Sequence, residues 1–184
     1  MLIGEKVLLR ARTRDDVVAL YHIRKADPEL FQKTENEPWV PQPLEQDLAR
    51  YDARLGEPPD PLNTVFAVEA RVAAGRIAHG DVVGEATCWG IDNHNGAANI
   101  GLRLVEEARG LGLGTDVVRM LCDYGFRLRG LHRLTCVTLA SNVAMIRVAE
   151  KTGFVAEARL RSAAFVDGHR EDVVYLGLLR EDWG

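Results

Sequence analysis

Three glycines at alternate positions, Gly110, Gly112 and Gly114, separate an apolar run that ends at Val105 from an amphipathic run that begins near Val117. Arg109 stands before them and Thr115-Asp116 after them. A strand that leads through such a turn into a helix offers unpaired N–H groups and the positive end of the helix dipole. The missing β-carbons let oxygen atoms approach the backbone. The chemistry favoured is the cradling of a phosphate. Two well-known phosphate loops do not fit. A Walker A loop needs Lys-Ser/Thr after its last glycine, where Thr115-Asp116 follows Gly114. A G-x-G-x-x-G fingerprint begun at Gly110 needs a glycine at 115, where Thr115 stands. What is left is the pattern Arg109-x-x-Gly112-x-Gly114.

For those glycines to act, a strand must deliver the chain to them and a helix must take it away. "AANIGLRLV" (97–105) reads as that strand, and Val117, Met120, Leu121, Tyr124 and Leu128 recur at the three- and four-residue steps of a helix with one apolar stripe. Upstream, "TVFAVEAR" (64–71) and "DVVGEATCWGID" (81–92), with the turn "DNHNG", predict an antiparallel meander that feeds the glycines. His94 in that turn reads as exposed polar loop. Nearer the start, "KVLLRAR" (6–12) predicts a strand, and Thr13 with Asp16 forms an acidic capping box that opens a helix over 14–26, ended by Asp27-Pro28. The segment 27–43, with Phe31 and Trp39, has no clear period and is expected to be loop-rich. A helix near 44–55 and the breaker "GEPPDP" follow. Beyond the glycine helix come a strand, "HRLTCVTLA" (132–140), and a helix, "SNVAMIRVAEKTGF", capped by Ser141 or Asn142 and closed by Gly153. "VAEARLRSAAFV", Asp167-Gly168 and "REDVVYLGLL" predict a closing hairpin. The expected order is β-α-α-β-β-β-α-β-α-β-β.

A chain of 184 residues with 47% apolar content fits one domain, taken as 1–184. The formal charge of −4 and the lack of any Lys/Arg block argue against sequence-independent nucleic-acid binding and suit cationic partners. No apolar run approaches membrane-spanning length, and "MLIGEKVLLRAR" is too short and too charged for a signal peptide, so a cytosolic protein is expected. Cys88, Cys122 and Cys136 are odd in number, lie in apolar contexts and lack C-x-x-C spacing. They suggest neither a disulfide framework nor a zinc site and read as reduced core residues.

The glycine pattern, with its strand and helix, resembles motif A of the GNAT superfamily of acyl-CoA N-acyltransferases. The likeness continues through "EARGLGLGTDVVRMLCDYGFRLRGLHRLTCVTLASNVAMIRVAEKTGFVAEARLR", which is similar to the core of the ribosomal-protein N-acetyltransferase-like (RimJ/RimL-type) branch. "VLLRARTRDD" and "LLREDW" resemble the same branch, and 27–63 is the least similar part. The resemblance implies an α/β (α+β) fold, one mixed, mostly antiparallel sheet flanked by helices, and acetyl-CoA as co-substrate with no metal. It further implies that the strand before motif A splays from the next strand, with the pantetheine arm of CoA pairing with backbone at Leu104 and Val105. The pyrophosphate would rest on the turn of Arg109, Gly110, Gly112, Gly114 and Thr115. Asn142 matches the family asparagine near the pantetheine, and Trp39 lies where the branch often builds its acceptor site. Trp39, Trp89 and Trp183 otherwise read as packing residues. Homodimers are frequent in this branch, with "SAAFV" as a candidate contact.

An amine that attacks the acetyl thioester needs positioning, a donor for the developing oxyanion and proton transfer. In the family the first two come largely from the backbone of the strand before motif A, here Leu102–Val105. The third departs from the family pattern. The tyrosine of patterns such as "LYEKLGF" is replaced by Ala149, and the glutamate of "EIG" by Asn99. Two catalytic candidates are left: Ser141 as a relay to the leaving thiolate, and Asp172, which matches an acidic position in the branch's last hairpin and could equally pair with an arginine such as Arg161. An α-amino acceptor, with a pKa near 8, needs less help than a lysine near 10.4. The acceptor is read as a protein N-terminus or a small-molecule amine. The alternative is a CoA-binding module without catalysis.

Overall fold

A computed structural model describes residues 1–184 apart from 27, 29, 30, 33, 34, 36 and 37 and the side chain of 26. One sheet contains the strands β1 (Leu2–Ile3), β2 (Val7–Ala11), β3 (Thr64–Ala70), β4 (Val82–Asp92), β5 (Ala97–Leu104), β6 (Arg133–Leu139), β7 (Val155–Val166) and β8 (His169–Leu179). Their order in space is β1-β2-β3-β4-β5-β6-β8-β7, and among the described residues β5–β6 is the one parallel pair. The described α-helices are α1 (Arg14–Tyr21), α2 (Leu44–Arg54), α3 (Leu113–Cys122) and α4 (Val143–Lys151). The fold is thus the mixed, mostly antiparallel sheet with flanking helices that the sequence predicts.

Local chemistry accounts for the element ends. Thr13 accepts the Asp16 N–H and the Asp16 carboxylate accepts the Thr13 N–H, so the capping box at α1 is complete. In the 92–95 turn, Asp92 accepts the N–H groups of His94 and Asn95. Both α1 and α3 continue as wider π-type turns, His22–Ala26 and Asp123–Leu128, which supply the rest of the helices expected over 14–26 and to Leu128. The expected stop at Asp27 lies outside the described residues.

Two differences from the sequence reading are clear. The two-residue strand β1 pairs Leu2 with Leu9, and a segment that short carries no readable alternation. Within 27–43, Pro28, Phe31 and Gln32 have helical backbone and the Glu35 N–H donates to the Phe31 carbonyl at 2.8 Å, so this segment is less loop-like than expected.

The sheet sorts its two faces by alternation. Ala86 joins the large core that α3 builds with Val117, Val118 and Leu121 against Ile100, Leu134 and Leu176. Its neighbour Glu85 points the other way, to the guanidinium of Arg24 in the turn after α1. All three cysteines are free and buried, as predicted.

Candidate functional site between the parted strands

The parallel pairing of β5 with β6 runs from Ala97–Arg133 to Ile100–Cys136 and stops, although β5 continues to Leu104 and β6 to Leu139. The strands therefore part beyond Ile100. On its other edge β5 stays paired with β4, through Gly84–Leu104, and the Val105 N–H donates to Val83 O at 2.9 Å. Backbone groups alternate in direction along a strand. With Val105 turned to β4, Leu102 and Leu104 present their N–H and C=O groups to the opening. The sequence reading named Leu104 and Val105 for this position; the Val105 donor is committed to Val83, and Leu102 takes its place beside Leu104.

The opening leads to the glycine turn. A single 3-10 turn, Glu106–Ala108, carries the chain from β5 to Arg109. Gly110 and Gly112 adopt φ of +73° and +79°, a region closed to most side chains, and Gly112 is the N-cap of α3. Gly114 is an ordinary helical residue that packs against Leu102, Leu104 and Val148. Among the described residues, no chain acceptor meets the N–H groups from Gly110 to Thr115, and the first helical bond is Asp116 N–H to Gly112 O at 3.4 Å. Consecutive free donors at the positive end of a helix form an anion cradle. The exposed Arg109 reaches the Leu104 carbonyl at 3.5 Å, which ties the cradle to the opening.

The far wall of the opening is the start of α4. Asn142 is its N-cap: Oδ1 accepts the Met145 N–H at 3.2 Å and Nδ2 donates to Thr138 Oγ1 at 3.0 Å on β6. Ser141, exposed and one residue earlier, is therefore not the cap. Its N–H donates to Glu171 Oε1 at 2.9 Å, while the next residue back, Ala140, donates to the Asp172 carbonyl. The fold thus brings Ser141 and Asp172 to one corner. The Asp172 carboxylate, however, accepts the Ser162 N–H at 2.9 Å and Arg159 Nε at 2.7 Å, with Arg159 in place of the Arg161 considered from sequence. The Ser162 N–H and then Arg159 hold this carboxyl below the ordinary carboxylate range, which makes it a weak proton acceptor.

The two positions that depart from the family pattern add no base or nucleophile. Ala149 is fully buried, and Asn99 sits in the paired part of β5 opposite Thr135. Burial pushes the Cys88 thiol up to about 11 and Cys136 to about 12, and raises Cys122 further. These thiols stay protonated at neutral pH, which disfavours a covalent acyl-cysteine.

The face of the sheet opposite α3 is polar and aromatic. The Trp89 ring lies over Gly101, where a β-carbon would come within 3.0 Å of it. Arg103, on the parted segment of β5, pairs with Glu35. Glu85 holds Arg12 at 2.7 Å and Arg24 at 2.9 Å, and Arg24 also holds Asp47 of α2 at 2.6 Å. Trp39 Nε1 donates to the Lys25 carbonyl at 2.8 Å, and Trp183 packs against Phe126. Charged pairs therefore join the turn after α1, and through it α2, to β4, the strand paired with β5.

Sequence reasoning missed two residues near the cradle. Lys6 Nζ donates to Leu111 O at 3.0 Å, and the buried Asp116 accepts the N–H groups of Lys6 and Val7 at 2.7 and 2.9 Å. An acidic residue in the first turn of α3 was the only signal available, and it named no partner.

The family model described as Acetyltransferase (GNAT) domain matches residues 6–155. The putative ribosomal N-acetyltransferase YdaF of Bacillus subtilis is 30% identical over 112 residues, 61% of this chain and 61% of that relative's own length. An uncharacterized N-acetyltransferase of the same organism, the SPbeta prophage-derived YokL, is 26% identical over 98% of this chain and 93% of its own. A spermidine N-acetyltransferase from Vibrio cholerae, solved in complex with CoA and spermine, superposes with a TM-score of 0.81 at 20% identity, over 96% of each chain.

Proposed function

The chain belongs to the GNAT acetyltransferase family, and on that premise we propose that it transfers the acetyl group of acetyl-CoA to a primary amine by direct attack. The observation that carries this reading is the parting of β5 from β6, followed in the chain by the free N–H groups of Gly110–Thr115. Acetyl-CoA supplies an activated thioester. Arg109, Gly110, Gly112, Gly114 and Thr115 hold its diphosphate, and Leu104, with Leu102 beside it and Val105 closing the strand, pairs with the pantetheine opposite Asn142. A gap-facing N–H of β5 donates to the thioester carbonyl as charge develops there. The amine approaches from the face that carries Trp89 and Arg103.

Proton handling defines the acceptor. With Ala149 and Asn99 at the family's acid and base positions, the amine must arrive neutral, and Ser141 is the proposed weak relay to the departing thiolate. Asp172, whose depressed acidity suits a fixed anion, helps to hold the corner. An α-amino group is about a tenth neutral at pH 7, so a protein N-terminus or a small-molecule amine of similar basicity fits best. YdaF is named as a putative ribosomal N-acetyltransferase and the Vibrio cholerae enzyme was solved with spermine. A charge of −4 suits a cationic acceptor of either kind, while the need for a neutral amine favours the N-terminus over the more basic polyamine. We extend the proposal to a single RimJ/RimL-like domain over 1–184, working in the cytosol as a homodimer through the β7–β8 hairpin. Support comes from one sheet that includes both the first and last strands, from three free thiols, and from the exposed Leu160 and Phe165.

An acetyl-CoA-dependent thiol-release assay over amines and peptides tests the reading. Release above hydrolysis is expected, with kcat/KM climbing about tenfold per pH unit up to the pKa of the acceptor and the plateau moving with that pKa. Ser141→Ala should lower kcat less than about a hundredfold. Absence of release with every acceptor would leave the non-catalytic CoA-binding module, and an inflection fixed at pH 6 to 7 whatever the acceptor would indicate an enzyme base.

A further inference from the structure

We propose that Lys6, which lies 105 residues before its contact, is a positioning residue of the phosphate cradle. The inference rests on the reading that the Gly110–Thr115 turn holds the diphosphate of CoA. Lys6 Nζ donates to Leu111 O, and the Leu111–Gly112 peptide is trans, so its C=O and N–H point in opposite directions. Holding the carbonyl toward Lys6 turns the Gly112 N–H away from Lys6 and fixes its direction. The ammonium also fills the space of the missing side chain, 2.9 Å from where a β-carbon on Gly112 would stand. A unit charge is thereby added beside an array that otherwise offers only backbone dipoles.

The stem of Lys6 starts from a fixed point. Asp116, in the first turn of α3 and 4% exposed, accepts the N–H groups of Glu5 at 3.3 Å, Lys6 at 2.7 Å and Val7 at 2.9 Å. The approach is close enough that a β-carbon on Gly4 would lie 2.5 Å from Asp116 Oδ2. The turn before β2 is thus clamped to the helix whose N-terminus forms the cradle, and a cation from that turn is delivered to the peptide that precedes α3. A lysine serving only β2 would have no reason to reach this carbonyl.

The test is calorimetric titration of CoA itself against wild type, Lys6→Met, Lys6→Gln and Lys6→Arg, with melting temperatures recorded alongside. Lys6→Met should weaken CoA about tenfold. Lys6→Gln, which keeps a donor without the charge, should fall between it and wild type, and Lys6→Arg should stay within about threefold of wild type. In turnover, KM for acetyl-CoA should rise in Lys6→Met with kcat little changed, whereas KM for acetyl-pantetheine, which lacks the diphosphate, should not move. CoA binding within twofold of wild type in Lys6→Met overturns the proposal, as does an equal KM rise for both donors. If Lys6→Met does not fold, the Lys6→Gln titration decides by the same twofold criterion. Wild type that fails to bind CoA at all would instead sink the reading of the cradle, so the two failures are separable.

Discussion

The three glycines of the turn, equivalent in the sequence, have different jobs. Gly110 and Gly112 are required by their backbone, since φ near +75° costs a side chain about 1–2 kcal/mol. Gly114 is helical, and a methyl there would meet Leu102, Leu104 and Val148 at 3.7 to 3.8 Å, ordinary packing distance on the core side of the helix. Gly114→Ala should therefore leave the melting temperature unchanged or raised and CoA affinity within about twofold. Gly112→Glu adds backbone strain and puts bulk and a negative charge beside the cradle, in the space that the Lys6 ammonium fills. It should weaken acetyl-CoA at least tenfold, about 1.4 kcal/mol. Titration calorimetry on the two variants separates the roles, and equal losses would mean that the glycines act together.

At the level of elements, the capping box that opens α1 is also an ion-pair junction. Asp16 is 3% exposed and accepts from Arg10 at 2.6 and 2.9 Å, and Arg10 also holds Glu69 on β3. Burial alone would raise the Asp16 carboxyl. The bonds from Arg10 and Thr13 outweigh it and hold the group below the ordinary carboxylate range. A carboxyl depressed in the folded state stabilises the fold above its unfolded value, near 3.9, and that contribution is lost as pH falls through the lower folded value. Asp16→Asn keeps the shape and removes the charge. It should cost about 2 kcal/mol at pH 7, and the difference from wild type in urea melts should shrink as pH is taken below about 4. A gap that stays constant down to pH 2 would assign the cost to packing.

For the molecule as a whole, the asymmetry of the sheet matters most. At one edge is the short β1; at the other, β7 runs for 12 residues along β8, with Val155, Leu160 and Phe165 exposed. A long, open edge strand with apolar side chains invites pairing, and a second copy of the chain offers the same surface about a twofold axis. Light scattering at micromolar concentration should give twice the 20.4 kDa chain mass, and Phe165→Asp should return it to the monomer value. A wild-type mass of one chain would remove the dimer from the proposal without touching the cradle, which is formed within one chain.

Much of this was legible in the chain because it is local. The capping box needs only Thr13 and Asp16, the helix after the glycines only its three- and four-residue steps, and the placing of the glycines between strand and helix only the order of residues 97–128. Other features arise from contacts between distant segments, which no local period encodes. Where β5 leaves β6 depends on register, so that Leu102 rather than Val105 faces the opening. Asp172 is assigned to Ser162 and Arg159 by an irregularity in β7–β8 pairing between Leu160 and Ala164, which a reading of hairpin residues could not foresee. Lys6 and Asp116 meet across more than a hundred residues, and only the folded sheet, which sets β2 against the start of α3, decides that a lysine in the turn before β2 reaches the glycine turn.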